Sequence, residues 1–346
     1  MSIVDMTVLY IVQSRRLLLN KMGIDVMNDA TEVKKTITKA SARKRGVLSE
    51  LWHNKFIYLL ALPAIIYVFI FSYLTLPYMV IAFQRFHFST GIFSPFVGLS
   101  NFQHFFSSTW AFLVTRNTLV INGLFIITGT LFSLFLAISL NEIPARRYLK
   151  VAQSTMLLPF FISWVIVSYM LRGLLATDTG LINNILVSLG RDRVSWYSSP
   201  QYWHLILVLL NIWRSAGFNV IIYLAAITGI DEGLYEAAYI DGASRLQRIR
   251  YITIPMLMPV VSILTLMAVG RIFFADFAMF FAIIRDNSTL MPMAEVLDTY
   301  VFRVFRSTGD PSLTMAIGIY QSVVGFILVF TSNWIVRRVY PEGALF

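Results

Sequence analysis

Glu236-Ala237-Ala238-Tyr239-Ile240-Asp241-Gly242, followed by Ile252-Thr253-Ile254-Pro255, lies on a polar, basic stretch between two long apolar runs, and its reading decides what kind of molecule this is. Asp231 stands where it can cap a short helix starting at Glu232, and Ser244 with Gln247 three residues on has the spacing of a capping box. Between them sits Asp241-Gly242, and glycine accepts the backbone angles that end one helix and re-aim the chain into another. The stretch therefore reads as two short helices set at an angle. Ala237, Ala238 and Ala243 keep one surface low, so that another protein's groove can approach closely. Pro255 suits the first turn of the next helix, where its missing N–H matters least.

The flanks of this stretch place it at a membrane. A chain of 346 residues that is 57% hydrophobic and 13% charged cannot hide its apolar surface in an ordinary soluble core. About 20 apolar residues cross a bilayer, and six stretches are long enough: 56–83, 117–140, 151–171, 203–228, 254–284 and 313–336. Of the 28 Lys and Arg, 18 fall on the tail 1–55 and on the segments that share its side, against eight on the opposite side. Basic residues accumulate on the cytoplasmic side, so both termini and the loop 229–253 are expected there. Trp110, Trp196, Tyr197, Tyr202 and Trp203 border the outer loops as interfacial anchors. The expected fold is an all-α integral membrane protein: a basic cytoplasmic tail over 1–55, then a six-span domain over 56–346.

Several function classes drop out. The net charge of +10 does not point to nucleic acid, because the Lys and Arg lie between apolar stretches and at the amino terminus, with no basic stripe. Without cysteine there is no disulfide framework, thiolate metal site or thiol nucleophile. His53, His87, His104 and His204 lack metal-ligand spacing, and no phosphate loop, nucleophile motif or paired-carboxylate site is found. No catalytic residue, metal or cofactor is expected in this chain. Asp5 interrupts the modest apolar run at the start, and no cleavage site follows, so a signal peptide is not expected.

The spacing Glu-Ala-Ala, three residues, Gly, nine residues, Ile-x-aliphatic-Pro resembles the coupling loop of importer-type ABC transporter permeases. Phe96-Val97-Gly98-Leu99-Ser100-Asn101-Phe102 is similar to an external-loop element of the carbohydrate class. Asn211 to Asn219, Gly270 to Phe277, Asp298-Thr299-Tyr300-Val301, Tyr320 to Phe326 and the closing Gly343-Ala344-Leu345-Phe346 resemble its polysaccharide-type subfamily. The resemblance runs from about residue 50 to the end. It implies a non-catalytic bacterial cell-membrane subunit that forms half of an oligosaccharide path. The implied partners are a second related permease, two ATPase subunits holding ATP and Mg, and an external solute-binding protein. Glu236, Ala237, Ala238, Gly242, Ile252 and Pro255 would then meet the ATPase. An ion-coupled secondary sugar transporter is the first alternative, and broken helices with an ion site would favour it; the sequence displays neither clearly. A membrane-embedded enzyme is the second.

Arg214, Arg271 and Asp276 fall inside expected spans, where a charge at the helix centre costs about 2.5–3.5 kcal/mol. With Asn211, Trp213, Asn219, Tyr320 and Gln321 they could line a carbohydrate path, aromatic faces meeting sugar C–H surfaces and amides or guanidiniums bonding hydroxyls. An internal ion pair between Arg214 and Asp276, or an arginine reaching to the interface, is the competing reading. Two cavity-facing arginines would also suit a uronate, whose carboxylate pairs bidentately with guanidinium. The phenylalanines from Phe273 to Phe281 are expected against lipid or neighbouring helices.

Overall fold

The computed structural model describes residues 55–339, and every regular element among them is a helix. The tail before residue 55 and the closing Gly343-Ala344-Leu345-Phe346 lie outside the described residues. The chain divides into two compact units at Leu76 and Pro77.

Within the first unit, α1 (Lys55–Val68) runs into a π-helical turn, Phe69–Tyr73. The segment is apolar on all sides, as a helix surrounded by lipid must be. Thr75 Oγ1 donates to the Phe71 and Ser72 carbonyls, 3.2 and 2.9 Å away, at the end of the wide turn. In sequence the apolar run continues to Phe83 through a 3-10 helix, Leu76–Phe83, whose residues from Pro77 on belong to the second unit.

The second unit contains α2 (Ser100–Ser107), α3 (Thr109–Asn141), α4 (Arg146–Leu157), α5 (Trp164–Leu175), α6 (Leu181–Ser188) and α7 (Trp203–Thr228). It continues with α8 (Glu232–Ile240), α9 (Arg245–Arg248), α10 (Ile254–Gly270), α11 (Phe277–Ile283), α12 (Met291–Ala294), α13 (Leu297–Thr308) and α14 (Pro311–Val339). Its first loop is folded back by Val97 N–H donating to Phe83 O at 2.8 Å and by Asn101 Nδ2 donating to the Ala82 and Gln84 carbonyls. That accounts for the glycine and asparagine of the Val97–Phe102 element, since Gly98 sits at φ +61.

Among the described residues five helices are long and apolar enough to cross a bilayer, six if a bent pair is one span. α7 lies along α3, α10 packs against α14, and α11 against α5. Their small and apolar faces form three buried clusters, one around Trp164, Trp203 and Phe280, one around Phe105, Phe273 and Ile317, and one around Ala137, Tyr223 and Leu257. Phe135, Phe326 and Phe330 point outward, a surface suited to lipid.

Two expected spans need correction. The stretch 151–171 is not one helix but a pair bent by 96°, Arg147–Phe161 and Trp164–Leu175. Pro159 starts a 3-10 turn there, and Ile162 and Ser163 are extended, with Ser163 capping the new helix. The stretch 254–284 is also broken: α10 stops at Gly270 and α11 begins only at Phe277. Boundaries elsewhere shift less. α3 starts at Thr109 behind a Ser108 cap, α7 spans Trp203–Thr228, and the last helix runs Pro311–Val339.

Candidate functional site

The two breaks face each other. At 158–163 the interrupted helix leaves the Ile162 carbonyl free, and Arg214 Nε on α7 donates to it at 3.1 Å. At 271–276 three other helices supply partners: Asn122 Nδ2 donates to Ile272 O (2.7 Å), Gln321 Nε2 to Phe273 O (2.9 Å), and Ala275 N–H to Asp298 Oδ2 (2.8 Å). Interrupted backbone at membrane depth is tolerated only where its polar groups find such partners or line a wet cavity. Burial raises the Asp298 carboxyl above the usual carboxylate range, against the pull of its bonds from Ala275 and Gln321.

Asp276 joins the breaks. It caps α11 through Met279 N–H at 3.2 Å and accepts from Trp164 Nε1 at 2.5 Å. Arg214 Nη1 stands 4.0 Å from the same carboxylate, and its guanidinium carbon lies 4.5 Å from the Trp164 ring centroid and 5.6 Å from that of Phe160. The ion pair left open by the sequence thus exists, with Arg214 mostly covered and Asp276 still 43% exposed. Close packing sets the distance between α7 and α4: a Cβ on Gly217 would lie 1.9 Å from the Met156 carbonyl oxygen. Only glycine fits that approach.

The other expected path residues separate. Asn211 and Asn219 are half-buried on α7, and Trp213 is exposed. Arg271 is not on a spanning helix; it terminates α10, exposed, apart from the Arg214–Asp276 pair. Tyr320 sits among the rings of Phe105, Phe106 and Phe273, its hydroxyl 3.2 Å from Thr115. Gln321 is buried on the Phe273 carbonyl. Phe273 and Phe280 are fully buried, whereas Phe274 and Phe281 are exposed. Sequence reading missed Trp164 and Asn122, and it placed Asp298 in a family-like stretch without a role at the site. Polar residues inside or beside apolar runs were the available signal for the last two, and Pro159 for the first break.

The second region is the elbow between α7 and α10. Asp231 Oδ1 accepts from Gly233 N–H at 2.9 Å and starts α8. Gly242, at φ +80, ends it in a Schellman arrangement: Gly242 N–H donates to Tyr239 O and Ala243 N–H to Ala238 O. Ser244 and Gln247 form the capping box of α9. Pro255 sits in the first turn of α10, as expected. The helix runs on from α9 through a π-helical turn, Ile249–Thr253, in which Ile254 N–H reaches back to Ile249 O. That wide turn already shifts the hydrogen-bond ladder and accommodates the proline ring. Glu236, Ala237 and Pro255 are exposed, while Ala238 and Ile252 are half-buried. Around them Tyr239, Leu246, Tyr251 and Ile240, the last 84% exposed, leave an apolar face open. Tyr235 Oη lies 2.9 Å from the buried Thr253 Oγ1 and ties α8 to the start of α10.

No group of three or more His, Asp and Glu able to hold a metal occurs among the described residues. A family described as binding-protein-dependent transport system inner membrane component matches residues 129–340, which contain both breaks and the elbow. The chain is 36% identical, over 91% of its length and 97% of the relative, to the polygalacturonan/rhamnogalacturonan transport system permease protein YteP of Bacillus subtilis (strain 168). It is 32% identical to Protein LplB of the same organism, over 86% and 93% of the two chains. A crystal structure of a bacterial alginate ABC transporter, in complex with an alginate pentasaccharide-bound periplasmic protein, aligns with a TM-score of 0.78 at 32% identity, covering 85% of this chain and 98% of that one.

Proposed function

Because the chain belongs to the binding-protein-dependent transport system inner membrane components, we propose that it is the permease subunit of an ATP-driven oligosaccharide importer, forming half of the translocation path. A second related permease completes the path, two ATPase subunits with ATP and Mg drive it, and an external solute-binding protein delivers the sugar. Both termini face the cytosol in the bacterial cell membrane. The names of the similar proteins, a polygalacturonan/rhamnogalacturonan permease and an alginate transporter, support the sugar class.

The observation that carries this reading is the elbow. α8 and α9 are fixed by their own caps yet leave Ile240, Leu246 and Tyr251 exposed, as a helix held ready for another protein's groove would. Closure of the ATPase pair would act on Glu236, Ala237, Ala238, Gly242, Ile252 and Pro255, and so bias the chain between two states, as a pump requires. Broken helices are a feature also found in ion-coupled transporters. Here they carry an Arg214–Asp276 pair, and the family is a binding-protein-dependent one.

The test is capture of the complex through a tag on this chain. An ATPase pair and a second permease should co-purify, and oligosaccharide presented on the binding protein should stimulate ATP hydrolysis in proteoliposomes. A solo chain that transports without an ATPase would overturn the reading.

A further inference from the structure

Beyond the breaks, a cleft of about 260 Å³ lies between α11 and α13, and three guanidiniums line it. Arg303 is fully engaged: its Nε and Nη2 donate to the two carboxylate oxygens of Glu295, at 2.7 and 2.6 Å, and Glu295 is buried. Arg306 is only loosely held, 3.8 Å from Asp286, with both side chains well exposed. Such a pair is weak in water and easily exchanged. Arg285 has no carboxylate within ion-pair distance among the described residues. Its Nε donates to Ala282 O at 3.3 Å, and its guanidinium lies 5.3 Å above the Tyr169 ring.

Arg285 is also the one non-glycine residue with positive φ, at 54°, among the described residues. L side chains rarely adopt that conformation, and residues held in it gather at binding sites. Phe281 and Phe302 line the same cleft, their rings 5.1 Å apart, edge to face, and both partly exposed. The cleft thus presents a guanidinium without a carboxylate partner, a second that can be released, and aromatic faces beside them.

We propose that this cleft receives a hexuronate unit of the transported chain. This rests on the oligosaccharide-import reading and narrows it to acidic sugars. The carboxylate pairs bidentately with Arg285 and draws Arg306 away from Asp286, while the sugar's C–H face lies against Phe281 and Phe302. The guanidinium that reads the acid is then Arg285 and not Arg214, which is already committed to Asp276 and the Ile162 carbonyl. On the charge reading of the sequence, the segment after α11 faces outward, so the sugar meets this cleft before it meets the breaks.

The experiment compares trigalacturonate with its fully methyl-esterified form, which keeps the shape and loses the charge. Binding is measured to the complex captured through the full-length chain and held in nanodiscs, at fixed low salt. The wild-type complex should prefer the acid by about tenfold or more, the range of a charged hydrogen-bonded pair. Arg285→Gln should remove most of that preference, Arg306→Gln part of it, and Arg285→Lys should keep an intermediate ratio, with affinity for the ester as the reference throughout. If Arg285→Gln fails to assemble, Arg285→Lys and Arg306→Gln carry the comparison. A wild-type complex without preference for the acid, or ratios unchanged in the variants, overturns the proposal. So does a complex that binds neither form; stimulation of its ATPase by a neutral oligosaccharide would then leave the import reading standing, and a preparation lacking any ATPase would remove that reading as well.

Discussion

The interior breaks at 158–163 and 271–276 and the elbow at 231–253 both interrupt helices, but opposite means hold them. At the elbow each freed backbone group finds its partner within five residues: Gly233 on Asp231, Ala243 on Ala238, Gln247 on Ser244. At the breaks Ser163 and Asp276 still cap the restarting helices locally, but the freed carbonyls and the Asp276 carboxylate take partners distant in sequence, 52 residues for Arg214 on Ile162, 150 for Asn122 on Ile272 and 112 for Trp164 on Asp276. The difference follows from the surroundings. An exposed loop can fall back on water, so local caps suffice, whereas a carbonyl freed among apolar helices must be met by a side chain from another helix. The interior breaks are therefore properties of the assembled bundle, and the elbow is a property of its own short stretch.

Substitutions can sharpen or break that contrast, and their expected effects on stability fall in order. Gly217→Ala forces a methyl into the Met156 carbonyl, 1.9 Å away. It should cost at least the upper end of the ~1–3 kcal/mol typical of overpacking, seen as loss of the folded complex in detergent size-exclusion and melting assays. Arg214→Ala leaves the Ile162 carbonyl and Asp276 without their guanidinium. A loss of about 1–3 kcal/mol is expected, larger than for Asp276→Asn, which retains an acceptor for Trp164. Gly242→Ala places an L side chain at φ +80, costing about 1 kcal/mol, and should lower transport more than it lowers the melting temperature. Glu236→Ala, on an exposed face, should change stability by less than about 0.5 kcal/mol while sugar uptake in proteoliposomes falls and ATP hydrolysis loses its dependence on sugar. If Gly242→Ala proved as destabilising as Arg214→Ala, the distinction between local and assembled interruptions would not hold.

The same distinction explains what could be read in advance. Asp231, Gly242, Ser244 and Gln247 act on neighbours a few residues away, so spacing alone revealed the caps and the turn of the elbow. The apolar runs likewise announced the long helices, because hydropathy averages over a window as long as the element itself. The breaks stayed hidden inside two of those runs. Pro159 marks the first break locally, but Phe273 and Ile162 are as apolar as their neighbours, and the groups that satisfy their freed carbonyls, Gln321 and Arg214, come from elsewhere in the bundle. For the same reason Arg271, five residues from Asp276 in an apparently continuous run, was grouped with it and proved to lie on an exposed turn. Pro255 follows the same local rule as the elbow: its ring suits the first turn of α10, where it stands, just after the π-helical turn Ile249–Thr253.

The Tyr235–Thr253 bond fastens α8 to the foot of α10, and α10 ends at Gly270, on the edge of the second break. Seventeen residues at about 1.5 Å each make a rod of roughly 25 Å. A push on the elbow would therefore travel along this helix, which Pro259 interrupts part-way, toward the second break, and the first thing it would tilt is the seat of Asp276.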